Sequence, residues 1–311
     1  MKASEWKALK ALHSSLTMRE VAYKTGLPLS TVSYMFNKLK EKGKFYFVVN
    51  YGELGLMVTT LITDNLKSDT GSLENLPLNV ASVRKAYSGH GQFMVMYSIV
   101  PGPLVDELVS ELKRDNIAVR TVVKGLEYIR WSPGFNAAEL KGEFLKPVME
   151  KAWEILNSSK KPPVFNTQSR VPDPIDLAIV SWRIQTGPFT SVLEGIKRIK
   201  ESDPSFPKVS QQLISYHYRR HVLPSWLYNT YTPFLPMTSV PVRLYLFKGR
   251  EAPALARALV ALPYAYTATI DVDKAVVVAQ YPCNMHYNVY SLISTADVEL
   301  PYGEAILKPS M

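Results

Sequence analysis

The sequence predicts an α+β chain: two winged helix-turn-helix units, each followed by a ferredoxin-like βαββαβ domain. Three observations carry that prediction. A short pattern at Val32-Ser33-Tyr34-Met35-Phe36-Asn37-Lys38 returns as Ile214-Ser215-Tyr216-His217-Tyr218-Arg219-Arg220, 182 residues later. Each copy ends a run of helical periodicity, and each run is followed by strand-like alternation. Positive charge collects in the same two places. Residues 1–60 hold nine Lys and Arg against four Asp and Glu, and residues 190–250 hold nine against three, whereas residues 251–311 are net acidic.

The elements follow in order. Residues 4–14 place Trp6, Leu9 and Leu12 on one helical face. Thr17 with Glu20 three residues on is a capping-box start, and Gly26 is a natural stop. Leu27-Pro28-Leu29 makes the turn, Ser30 caps a third helix to about residue 42, and Gly43 ends it. Two helices joined by so short a turn form a helix-turn-helix, with Val21, Leu27, Val32, Phe36 and Leu39 as shared core and small Ala22 at the crossing. Residues 44–50 supply a wing. Strands are expected at 57–63, 81–88, 92–100 and 117–131, with helices at 73–78 and 103–115. A helix over 137–157 should be kinked or divided by Pro147, and 158–174 reads as a linker. The second half repeats the plan. Helices are expected at 175–185, 190–200 and 210–222, and a wing at 227–234. Strands at 240–247, 264–271, 274–281 and 297–307 alternate with helices at 253–262 and 285–294. The expected domains are 1–55, 56–131, a connector over 132–170, 171–236 and 237–311.

Composition narrows the function classes. The net charge of +9 over 311 residues, concentrated beside the repeated pattern, points to a polyanion partner, because neutralising phosphates releases counterions. One cysteine excludes a disulfide framework or a cysteine metal site and fits a cytoplasmic location. The first twelve residues lack the apolar run of a signal peptide, and no stretch is long enough to span a membrane. No P-loop, Rossmann fingerprint or Ser-His-Asp set is present, so no catalytic residue and no cofactor is expected.

In the first recognition helix Ser30, Thr31, Ser33, Tyr34, Asn37 and Lys38 fall opposite the buried positions. Early residues of such a helix enter the major groove. Asn pairs bidentately with adenine. Lys38, Lys42 and Lys44 suit phosphates, which position without specifying sequence. The corresponding set in the second unit is Gln211, Gln212, Ser215, His217, Arg219 and Arg220. His217 and His221 are one helical turn apart, a spacing that also suits a metal. No third ligand stands nearby in sequence, so none is expected there.

Residues 4–131 resemble the Lrp/AsnC (leucine-responsive, feast/famine) transcription regulators. The resemblance rests on Arg19-Glu20-Val21-Ala22 to Gly26, Ser30-Thr31-Val32, Leu39-Lys40-Glu41-Lys42-Gly43 and Leu54-Gly55. It also rests on Tyr87-Ser88-Gly89-His90-Gly91-Gln92-Phe93, which is similar to the family's effector loop. It implies a regulator of double-stranded DNA, here tandemly duplicated into a single-chain pseudo-dimer or a homodimer through the ferredoxin-like domains. It also implies a small-molecule effector at Ser88, Gly89, His90, Gly91 and Gln92. Where the family usually carries an acidic residue, this chain has Gln92. The second unit's turn, 201–209, is long and holds Pro204 and Pro207. Siroheme decarboxylases resemble the same fold and imply the alternative, with His217, Arg219, Arg220 and His221 facing substrate carboxylates.

Overall fold

The computed structural model describes residues 1–64, 80–164, 171–203 and 205–308. It is a mixed α/β fold. In chain order the helices and strands are α1 (Ala3–Leu12), α2 (Met18–Thr25), α3 (Leu29–Lys40), β1 (Gly43–Val49), β2 (Leu56–Thr63), β3 (Val80–Ser88), β4 (Gly91–Pro101), α4 (Val105–Arg114), β5 (Val119–Gly125) and β6 (Glu127–Arg130). Then come β7 (Ala138–Lys141), β8 (Phe144–Pro147), α5 (Met149–Ser158), α6 (Pro174–Thr186), α7 (Val192–Ser202), α8 (Gln211–His217) and β9 (Trp226–Pro233). The chain ends with β10 (Arg243–Lys248), α9 (Ala252–Ala261), β11 (Ala265–Ile270), β12 (Lys274–Ala279), α10 (His286–Thr295) and β13 (Glu304–Leu307). These form two compact units. One gathers Met1–Leu54, Ser132–Lys146 and Thr167–Phe234; the other gathers Gly55–Trp131, Pro147–Asn166 and Leu235–Met311.

The first unit is helical, with two short sheets. Its N-terminal helices start and stop where their chemistry dictates. Glu5 accepts the Lys2 amide at 2.7 Å ahead of α1. Thr17 Oγ1 accepts the Glu20 amide at 3.2 Å, and the Glu20 carboxylate accepts the Leu16 amide at 2.9 Å. Gly26 closes α2 at φ 69°, the left-handed region that glycine enters without a Cβ clash. The helix α3 begins at Leu29 after extended Pro28, so Ser30 lies inside its first turn and does not cap it. Leu9, Leu12, Val21, Val32, Met35, Phe36 and Leu39 form the core.

The two expected wings take a different form. Strand β1 pairs antiparallel with β9, from Gly43 opposite Pro233 to Val49 opposite Trp226, so neither folds back as its own hairpin. The segment after β1 turns into a 3-10 helix at Gly52–Leu54 and offers β1 no return strand. Close approach demands a glycine at position 43: a Cβ there would sit 2.4 Å from the Thr232 carbonyl oxygen. Tyr231 crosses into the first helical core, and its hydroxyl donates to the Leu39 carbonyl at 3.1 Å.

The helix expected over 137–157 is also revised. Gly142, at φ 64°, turns β7 back onto β8, and Pro147 ends β8 before α5 starts at Met149.

The second unit holds a nine-stranded sheet in the order β5-β2-β4-β3-β13-β10-β12-β11-β6. Numbered within each half, the strands run fourth, first, third, second in β5-β2-β4-β3 and again in β13-β10-β12-β11. Antiparallel pairing of β3 with β13 joins the halves, and β6 pairs with β11. Strands β5 and β6 end the order on opposite sides yet are separated in sequence by Leu126 alone, so the sheet curls back on itself. Period-two alternation turns Ile62, Phe93, Val95, Val123, Leu244, Leu246, Val276 and Val278 into one interior core. Met96 and Val100 face α4 with Leu108 and Leu112. The helix expected at 73–78 lies outside the described residues. Among the described residues, no helix is long and apolar enough to cross a membrane.

Candidate functional site

Helix α3 presents a polar face opposite its core. Ser30, Thr31 and Asn37 are exposed, Tyr34 is 69 % exposed, and Ser33 and Lys38 are half-buried. Lys42 is exposed just past the helix, and half-buried Lys44 lies over the Tyr46 ring at 5.3 Å. Two or three turns of helix thus carry hydroxyls, an amide and ammonium groups on one side. The apolar side is held by Val32, Met35, Phe36 and Leu39.

The second copy of the pattern splits. Gln211, Gln212, Ser215, Tyr216, Arg219 and Arg220 line one surface cleft of about 720 Å³. Ser210 caps α8 by accepting the Leu213 amide at 3.1 Å. The chain then widens into a π-helical turn over Tyr218–Val222, a distortion common at functional sites. His217 does not join the exposed face. It is 6 % exposed and turns inward with His221 toward the start of α6.

There the two imidazoles meet two carboxylates. Asp173 caps α6, one of its oxygens accepting the Ile175 and Asp176 amides at 2.9 Å each. Asp176 is 1 % exposed, and its Oδ1 lies 2.9 Å from both His217 Nδ1 and His221 Nδ1. The two nitrogens are 3.1 Å apart, and Asp173 Oδ2 is 3.4 Å from His217 Nδ1. One ligand atom from each of the four residues lies within 4.8 Å of the others. Sequence spacing showed the two histidines but not the carboxylates some forty residues upstream. The fold thus brings to the two histidines the carboxylates that their neighbourhood in sequence lacks.

Residues Ser88 to Gln92 form the tip of the β3–β4 hairpin, with Gly91 at φ 104°. The Ser88 hydroxyl accepts the His90 amide at 3.1 Å, and Gly89, His90, Gly91 and Gln92 are exposed. The geometry is that of a tight two-residue turn.

Two further groups brace the helical unit. His13 Nδ1 meets Ser132 Oγ at 2.7 Å, and the ring stacks on Tyr228 with centroids 4.9 Å apart. Burial lowers the His13 pKa from its ordinary 6.5, and the charge of Lys24 lowers it further. The unfolded chain therefore takes the proton first as pH falls. His13 contributes stability that is full above about pH 6.5 and is lost as pH drops toward the folded value. Urea midpoints measured from about pH 7.5 to 5 should fall more steeply for the parent than for His13→Gln. Equal slopes would show that His13 is not the group responsible. The second brace, Arg183, donates from Nη1 to the Pro188 carbonyl at 2.5 Å and the Thr190 carbonyl at 2.8 Å.

No protein-family profile matches the chain. No curated protein matches it either. Among solved structures, the siroheme decarboxylase NirDL matches at TM-score 0.44 and 10 % identity, covering 98 % of this chain and 91 % of that one. NirDL in complex with an iron-uroporphyrin III analogue matches at TM-score 0.41 and 10 % identity, covering 98 % and 90 %. The leucine response regulatory protein LrpA of Mycobacterium tuberculosis matches at TM-score 0.27 and 22 % identity, covering 40 % of this chain and 92 % of that one. At these TM-scores the likenesses assign no role to any residue here. They do correct one expectation. The sequence favoured a chain that is not an enzyme and gave the decarboxylase only as the alternative; the matches that span nearly the whole chain are to an enzyme, so that preference is withdrawn.

Proposed function

We propose that the chain binds double-stranded DNA in a sequence-dependent way, with α3 as the element that enters the major groove, and that it acts as a transcription regulator. The observation that supports this reading is the division of α3. Its apolar side is closed by α1, α2 and β1, while Ser30, Thr31, Tyr34, Asn37 and Lys38 stand on the open side. The surplus of positive charge in residues 1–60 supplies the sequence-independent part of the affinity. The fourth-first-third-second order in each half of the sheet supports the ferredoxin-like reading, and the β1–β9 pairing supports a single chain built like a dimer. Because α3 and α8 differ in sequence, the preferred site is asymmetric, not palindromic.

Selection of duplexes from a random pool tests the reading. The parent should return an asymmetric site, and Asn37→Ala should lose preference at an adenine position, a discrimination of about 1–3 kcal/mol. A clean palindrome would contradict the pseudo-dimer. An unchanged preference in Asn37→Ala would contradict the placement of α3.

A second reading rests on the cleft beside α8. Arg219 and Arg220 with Gln211, Gln212, Ser215 and Tyr216 offer cationic and hydrogen-bonding groups to a carboxylate-rich tetrapyrrole, the substrate class of the siroheme decarboxylases. With His217 and His221 turned onto Asp176, the arginines carry that duty. An absorbance titration with a uroporphyrin decides it: a saturable spectral change lost in Arg219→Ala/Arg220→Ala favours this reading, and none removes it.

A further inference from the structure

The structure assigns a divalent transition-metal site of the zinc type to Asp173, Asp176, His217 and His221. It is independent of the DNA-binding reading.

Hydrogen bonding alone does not account for the arrangement. Asp176 Oδ1, His217 Nδ1 and His221 Nδ1 form a triangle with sides of 2.9, 2.9 and 3.1 Å. An imidazole nitrogen carries either one hydrogen or one in-plane lone pair. If both nitrogens donate to the carboxylate, two N–H groups face each other across 3.1 Å. If only one is protonated, one side of the triangle sets lone pair against lone pair. At most two of the three contacts are hydrogen bonds. A single cation among the atoms satisfies all three sides, because every lone pair then points inward.

The dimensions and charge agree. Tetrahedral zinc with N and O ligands at about 2.0–2.2 Å has ligand atoms roughly 3.3–3.6 Å apart, several tenths beyond the triangle and close to the 3.4 Å from His217 to Asp173. Two carboxylates and two neutral imidazoles balance a divalent charge. Imidazole donors favour zinc-like ions over magnesium or calcium. Asp176 at 1 % exposure is a carboxylate that burial penalises unless a cation or donors compensate it. The α6 cap fixes the Asp173 carboxylate from behind, as outer partners fix metal ligands. A cleft of about 80 Å³, bordered by Asp176, His221, Glu53 and Arg220, provides the entry path. The ion would tie the start of α6 to the end of α8.

The test uses the full chain, stripped with chelator and dialysed against zinc, with Co2+ as a spectroscopic substitute. The parent should retain one zinc per chain, give the visible d–d bands of tetrahedral Co2+, and melt at higher temperature when zinc is added. Asp176→Asn and His221→Gln should weaken zinc by on the order of 100-fold, the upper end of what losing even an outer partner costs, and lose the bands. His90→Gln, on the β3–β4 tip, should bind as the parent does. Circular dichroism establishes that each variant is folded; if Asp176→Asn is not, His221→Gln decides. A folded parent that holds far less than one zinc, or a His221→Gln variant that binds like the parent, overturns the assignment.

Discussion

Replacing Lys38, Lys42 and Lys44 together by alanine should weaken duplex binding to every sequence alike. It should also flatten the dependence of log affinity on log salt by about 2.7, at roughly 0.9 per phosphate contact. The three lysines follow the groove-facing residues of α3 in sequence and lie at or beyond its C-terminal end, where a recognition helix meets the phosphate backbone and not base edges. None belongs to the core, since Lys42 is exposed and Lys38 and Lys44 are half-buried. Circular dichroism and melting temperature should therefore stay near those of the parent. Fluorescence anisotropy at several salt concentrations reads both effects. A loss confined to one sequence would mean that the lysines read bases; no loss would remove them from the interface.

Arg183→Leu should destabilise the helical unit by about 2–4 kcal/mol, among the larger costs of a single substitution, because the buried Pro188 carbonyl and the part-buried Thr190 carbonyl lose a charged donor together. The Arg183 guanidinium is buried where α6 ends. It holds the Pro188 and Thr190 carbonyls and lies over Phe47 at 5.6 Å and Tyr218 at 5.0 Å. It thereby links the α6–α7 loop to β1 and to the π-helical turn. Leucine keeps much of the apolar stem but offers no donor. Urea unfolding followed by the signal of Trp182 and Trp226, both in that unit, measures the change. A loss under about 1 kcal/mol, the size of an ordinary surface change, would show that water replaces the guanidinium without penalty.

What could be read in the sequence was local. Thr17, Glu20 and Gly26 announce the bounds of α2 by chemistry that acts within a few residues. Alternation in 92–100 sets Phe93 and Val95 inside and marks β4 correctly. The repeated Ser-Tyr pattern finds two helices, and its equivalent positions are buried alike: Tyr34 and Tyr216 stand open, whereas Met35 and His217 turn inward. What escaped was long-range. The partner of β1 is β9, more than 170 residues away, so each strand was legible only as the wing of its own unit. Asp173-Pro174-Ile175-Asp176 reads as a good helix start, with Asp at the cap and Pro at the first position. Only the fold brings His217 and His221 against it. Helix periodicity carried across 137–157 missed Gly142 as the point where the chain doubles back.

The central claim is that the face of α3 meets duplex DNA, and its most direct measurement is an equilibrium titration of the parent chain with its selected duplex at two salt concentrations. Between about 50 and 200 mM salt, affinity should fall steeply, by a factor that grows with the number of phosphates neutralised. The Lys38/Lys42/Lys44 variant should fall less steeply over the same range. Affinity that does not change with salt, or a parent chain that fails to bind duplex at the lower concentration, would contradict it.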